Sequence, residues 1–202
     1  MNFNEVSTRI CTLRLKGKFY NYTTIYVHTP TEVSTKEEKK SFYDLLQKTY
    51  EECPSNVIKI VIGDMKARIG KEEVYCPTIG KHSLHESIND NGYRLIQFAA
   101  LNNMVIGSTM FPHKNIHKST WTAPDRLFEN HVDHMVIDAR HMSDLLDVRS
   151  YRGGNVDSDH YLVIARMQAR ISNIKKLRGE RIRKFCISIL QDENTANMYV
   201  KR

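Results

Sequence analysis

Between residues 57 and 62 the chain reads VIKIVI, and Gly63-Asp64 follows at once. So short and nearly unbroken an apolar run suits a strand covered on both faces, since a one-sided strand alternates polar with apolar. A carboxylate at the end of such a strand is costly to desolvate unless it is paired or meets a ligand. The run therefore demands a layered fold, and its last residue asks for a partner. The pattern recurs twice. Asp133-His134 lies within the run 131–137, and Asp157-Ser158-Asp159-His160 leads into Tyr161-Leu162-Val163-Ile164. Acids beside three apolar runs predict convergence at one rim of a sheet.

The remaining elements fit around that inner strand. Residues 10–15 and 23–27 read as strands joined through Lys16-Gly17-Lys18, and 104–108, 132–137 and 161–166 follow the same style. Thr35-Lys36-Glu37-Glu38 is a capping box, and Phe42, Leu45, Leu46 and Tyr50 recur behind it at helical spacing. Asn89 or Asp90 caps a second predicted helix running to residue 104, with Leu95, Phe98, Ala99 and Leu101 inward. A short third helix is expected around 141–146, and 71–91 reads as an irregular loop. Strands mixed with helices at irregular spacing predict an α+β or layered α/β domain.

Charge divides the chain. The net formal charge is +7, of which residues 1–169 carry +1 and residues 170–202 carry +6. The expected organisation is a domain over 1–169 and a basic, helical linker or tail over 170–202. In that tail Lys175, Lys176, Arg178, Arg181, Arg183 and Lys184 suit phosphate contacts. No apolar run reaches the ~18 residues of a membrane helix, so no membrane partner is expected. The opening MNFNEVSTRI lacks the pattern of a secretory leader. Cys11, Cys53, Cys76 and Cys186 are unpaired in spacing, which suits an intracellular, reducing setting.

Aspartate oxygens are hard ligands suited to Mg²⁺ or Mn²⁺, and a histidine beside them can act as a base or hold a phosphate oxygen. Spacing alone sets this chemistry only slightly ahead of plain strand capping. His82-x-x-His85 and His113-x-x-x-His117, with Cys76 nearby, offer a weaker zinc reading without cysteine pairs.

Specific strings sharpen the choice. Gly63-Asp64-Met65-Lys66-Ala67 resembles the GDFNA motif of the endonuclease/exonuclease/phosphatase superfamily, Thr120-Trp121 its TW element, Val132-Asp133-His134 its IDH element and Ser158-Asp159-His160 its SDH element. His28-Thr29-Pro30 resembles its histidine–proline strand end, and all five stand in family order. Two longer stretches, residues 91–121 and 145–163, are similar to the endonuclease part of non-LTR retrotransposon proteins. The resemblance implies an α/β/β/α sandwich of mainly antiparallel sheets and metal-dependent phosphodiester hydrolysis with Mg²⁺ or Mn²⁺. Its partner would be nucleic acid, DNA first, which suggests the nucleus. By motif match, Asp64 would orient or activate the attacking water, and Asp159 would help hold the metal or partner His160. His160 would be the base or phosphate-side stabiliser, oriented by Asp133. His28 would touch the scissile phosphate or act as acid, and Trp121 would pack beneath the site.

Two departures predict weak or lost hydrolysis. The strand bearing the family's metal-binding Glu has no counterpart here, since Glu5 sits in a different context. About half of the usual domain is therefore expected to be absent, leaving apolar strand faces and edges exposed. Lys66 also stands where the motif has Asn, and losing one preorganised donor costs about 2.7–4 kcal/mol of transition-state stabilisation. The alternative is a non-catalytic nucleic-acid binder that uses the basic tail.

Overall fold

The computed structural model describes residues 2–154 and 158–168. Contacts divide the chain into Met1–Arg170 and Ile171–Arg202, and all described residues belong to the first unit. The six basic tail residues named above, Asp157 and Cys186 lie outside the described residues. No described helix is long and apolar enough to cross a membrane.

Along the chain come β1 (Asn2–Ser7), β2 (Ile10–Leu15), β3 (Tyr22–His28), α1 (Lys36–Glu52), β4 (Ile58–Asp64), α2 (Asp90–Leu101) and β5 (Met104–Ile106). Then follow β6 (Trp121–Thr122), β7 (Glu129–Asn130), β8 (Asp133–Asp138), β9 (Leu145–Tyr151) and β10 (Leu162–Met167). Six strands form one sheet in the order β1-β2-β3-β4-β8-β5, and only β3 and β4 within it are parallel. β9 pairs with β10, and β6 with β7, both antiparallel. This is the expected mixed α/β architecture with mainly antiparallel sheets.

The inner run does what its composition requires. Val61 joins Leu46, Leu95 and Phe98 in a core against the helices, while Ile58 and Ile60 join Leu145 and Val148 in a second core toward β9. Burying both faces of one strand fixes the layer order: helices, large sheet, small sheet. Along the second face Tyr26, Ile62, Leu162 and Val163 line a groove of about 370 Å³ that reaches Asp133. Tyr26 is 49% exposed and Leu162 47%, the open apolar strand face that the sequence leads one to expect.

Local signals held where chemistry was explicit. The Thr35–Glu38 capping box is formed reciprocally at α1. Asn89, rather than Asp90, caps α2 by accepting from the Gly92 amide. Three expectations need correction, and two strands stand beside them that the sequence did not mark. α2 stops at Leu101 because Asn103 turns into the left-handed region (φ 51°), which frees Met104 to start β5. Leu101 is 75% exposed, as helix phase at the last turn carries it outward. The third helix is a 3-10 segment, Ala139–Asp144, capped by Asp138. It gives way to β9, which pairing with β10 imposes, and β1 likewise exists through its pairing with β2.

Candidate functional site

The site is built from sheet register. His28 ends β3 and lies opposite Asp64, which ends β4, and Asp64 lies opposite Asp133, which starts β8. Residues paired across neighbouring strands share a face. All three side chains therefore stand in one row on the small-sheet side. His134 is forced to the other face by the two-residue period, although it follows Asp133 directly in sequence.

His160 reaches this row from the segment before β10. Trp121 forms a backbone bridge with His160, the Thr122 amide donates to the Asp159 carbonyl, and the Tyr161 amide donates to the Thr120 carbonyl. That ladder brings His160 Nδ1 to 3.0 Å from Asp133 Oδ2. Asp133 is itself fixed, because its amide and that of Val132 both donate to Thr120 Oγ1. An imidazole held at Nδ1 by a carboxylate keeps Nε2 for other work. The motif resemblance gives Asp133 the role of orienting His160, and the structure brings the two side chains together.

Asp64 has different company. Its Oδ2 lies 2.8 Å from Lys66 Nζ and 4.0 Å from His28 Nδ1, and its Oδ1 accepts the Lys66 amide at 3.0 Å. That short turn holds Lys66 at φ 47°, a conformation that Asn and Asp adopt more readily than Lys. Asp159 does not partner His160. Its Oδ2 accepts the Trp121 indole N–H at 2.7 Å, so Trp121 braces an acid besides packing beside the site. This indole bond is the main reason the Asp159 carboxyl lies below the usual range. Burial pushes the Asp133 carboxyl up, against the pull of Thr120 and the His160 charge.

Lys66, Arg68, Asn89, Trp121, Asn130, His160, Val132 and Glu32 line one cleft of about 290 Å³. Sequence reasoning missed Arg68, Glu32, Asn89 and Asn130 as lining residues. Only Arg68, two positions past Lys66, carried a readable signal. Glu32 accepts from the Asp90 amide at 3.2 Å and from Asn89 Nδ2 at 2.8 Å, so its charge is spent on the N-terminus of α2. Beneath it, Lys39 is 3% exposed and donates to the Glu32 carbonyl at 2.8 Å and to Asp90 Oδ2 at 3.0 Å. Lys39→Met should remove both bonds and lower stability by about 2 kcal/mol, read as a fall in the urea midpoint. An unchanged midpoint would contradict this role.

A divalent ion needs several free oxygens that converge. Here Lys66 occupies Asp64, His160 occupies Asp133 and Trp121 occupies Asp159. Among the described residues, no three His, Cys, Asp or Glu side chains gather as a metal site. The donors present therefore do not fit the Mg²⁺ or Mn²⁺ suggested by the motifs. The zinc pattern disperses too: His113 Nε2 pairs with Asp147 at 2.6 Å, and His85 Nε2 accepts the His131 amide at 3.1 Å.

Three likenesses bear on this geometry. Craniofacial development protein 2 of Tragulus javanicus is 33% identical over 173 residues, or 86% of this chain. The endonuclease domain of TRAS1, a telomere-specific non-LTR retrotransposon, superposes with a TM-score of 0.56 at 13% identity, covering 83% of this chain and 67% of that one. The 3' phosphatase NExo from Neisseria, bound to a product DNA hairpin, gives 0.55 at 16%, covering 80% and 65%. The chain has the fold of these endonuclease and phosphatase structures. It is a sequence relative of craniofacial development protein 2 and spans 30% of that protein's length. No family model matches the chain. On this fold, the row His28–Asp64–Asp133 sits at the rim where the five motif strings meet.

Proposed function

We propose that this endonuclease/exonuclease/phosphatase-fold chain binds a nucleic-acid phosphodiester, DNA being the class, in the cleft over Lys66 and His160, and that its hydrolysis is weak or lost. The observation that carries this reading is the Asp133–His160 pair, whose imidazole lines a cleft with Lys66 and Arg68. A phosphate in that cleft would meet an ammonium, a guanidinium and the free Nε2 of His160. Asp133 would hold the imidazole in position, His28 would reach the phosphate from the exposed end of β3, and Asp64 would fix Lys66. The fold shared with a retrotransposon endonuclease domain and with a phosphatase holding DNA supports the choice of partner.

The test is nicking of supercoiled plasmid with Mg²⁺ or Mn²⁺ beside DNA binding across a salt series. Binding should weaken steeply with salt, and Arg68→Ala should reduce it. Little nicking is expected. Any nicking that does occur should fall roughly 100-fold or more in His160→Ala. Vigorous metal-dependent nicking lost in both Asp159→Ala and His160→Ala would instead mark a working nuclease. The +6 charge of residues 170–202 favours a second source of binding. Deleting those residues separates the two, because cleft binding should survive the deletion with a shallower salt dependence.

A further inference from the structure

We infer that Lys66 is the resident cation of this cleft, so that a phosphodiester is held there without a divalent ion. The inference rests on the cleft-binding reading above and adds the ion requirement to it. Both oxygens of Asp64 are spent on one residue, Oδ2 on the Lys66 ammonium at 2.8 Å and Oδ1 on the Lys66 amide at 3.0 Å. The Asp64 side chain is 8% exposed and that of Lys66 is 29% exposed, so the acid is covered and the ammonium is what the cleft presents. An ammonium carries three donors with no fixed plane, and one is spent on Asp64. The other two can meet the oxygens of a phosphate, for which a compact charge suffices.

A divalent ion at Asp64 would have to displace this ammonium and then lie beside it, two cations in a covered place. Neither neighbouring acid is better placed to receive the ion. Asp159 Oδ2 is bound by Trp121 at 2.7 Å, and Asp133 Oδ2 lies 3.0 Å from His160 Nδ1. Lys66 thus does for Asp64 what a bound ion would do: it neutralises the acid and leaves positive charge facing the ligand.

Trp121 makes this measurable in the full chain. It is the one tryptophan of the sequence, it lines the cleft and its indole N–H touches Asp159. Its emission therefore reports both an ion at Asp159 and a nucleotide in the cleft, and is blind to DNA held elsewhere. The experiment titrates Mn²⁺ alone, and then a short DNA duplex in EDTA and in Mg²⁺. Wild type should show no saturable quenching by Mn²⁺, and its DNA quenching should agree within about twofold in the two buffers, with the salt dependence of a lysine contact. Lys66→Asn, which suits the backbone at φ 47°, should fold, gain a saturable Mn²⁺ response and bind DNA better with Mg²⁺ than with EDTA.

Saturable Mn²⁺ quenching in wild type, or DNA quenching only with Mg²⁺, would overturn the inference and leave cleft binding standing. A Lys66→Asn chain as indifferent to Mn²⁺ as wild type would also overturn it, since Lys66 would not be what excludes the ion. Wild type that ignores Mn²⁺ and shows no DNA quenching in either buffer would remove the cleft-binding reading itself.

Discussion

Gly63→Ala is expected to destabilise the chain by roughly 3–5 kcal/mol, combining a strained backbone with overpacking against a neighbouring strand. Gly63 has φ +139°, a region that side-chain-bearing residues rarely adopt. A Cβ there would lie 2.0 Å from the Val27 carbonyl oxygen, which is backbone of the paired strand β3 and has no rotamer to yield. Either β3 separates from β4 or the chain bends before Asp64. Both moves break the register that aligns His28, Asp64 and Asp133. The measurement is a urea unfolding curve with Trp121 emission read on the same samples. A midpoint within error of wild type would show that the strands yield locally, and the account of the row would fail.

Acid should destabilise the fold through its buried histidines. His134 is wholly covered, and burial takes its pKa from 6.5 down to about 4. Its Nε2 lies 2.8 Å from the Ala67 carbonyl and its Nδ1 2.7 Å from Ser108 Oγ. The neutral ring fits both if Nε2–H donates to the carbonyl and Nδ1 accepts the hydroxyl. His131 stacks on it with ring centroids 4.5 Å apart, is held well below its ordinary pKa by burial, and has an unpartnered Nδ1. His85, also lowered by burial, completes the cluster. The unfolded chain takes up these protons near pH 6.5 and the folded chain resists until much lower. Stability is therefore full above about pH 6.5 and falls as pH drops toward about 4, with His134 alone costing roughly 3 kcal/mol over that window. Asp133, whose pKa burial raises, works in the opposite direction and blunts the fall slightly. Unfolding midpoints across the window should slope downward in acid, and His134→Gln should flatten the slope. A wild-type midpoint constant from pH 7 to about pH 4.5 would show that these rings are not held neutral.

The two predictions concern opposite faces of one short segment. Asp133 and His134 read as a single acid–histidine unit in sequence, yet the strand period separates them. Asp133 lies on the small-sheet side and pairs with His160, while His134 packs among the other histidines on the helix side. The motif resemblance set Asp133 against His160, but the local pattern did not, and neither set Asp159 against Trp121. Asp133 meets a histidine 27 residues away, and Asp159 meets a tryptophan 38 residues away. Nothing local marks either partner.

What the sequence by itself determined is what short-range physics controls. The unbroken run 57–62 required a strand with two covered faces. The Thr35 box set the start of α1, Asn89 set that of α2, and ordered motif strings marked the residues that would meet. These signals act within one turn or one strand, where each residue's preference decides. Tertiary structure alone decided the rest. β1 and β9 exist because another strand offers them hydrogen bonds, and Met104, past the turn that ends α2, pairs with β8. It also decided that Lys66 spends its charge on Asp64 and that Glu32 spends its charge on α2. Which charge finds which partner is set by distances across the fold, and a linear pattern carries no record of those distances.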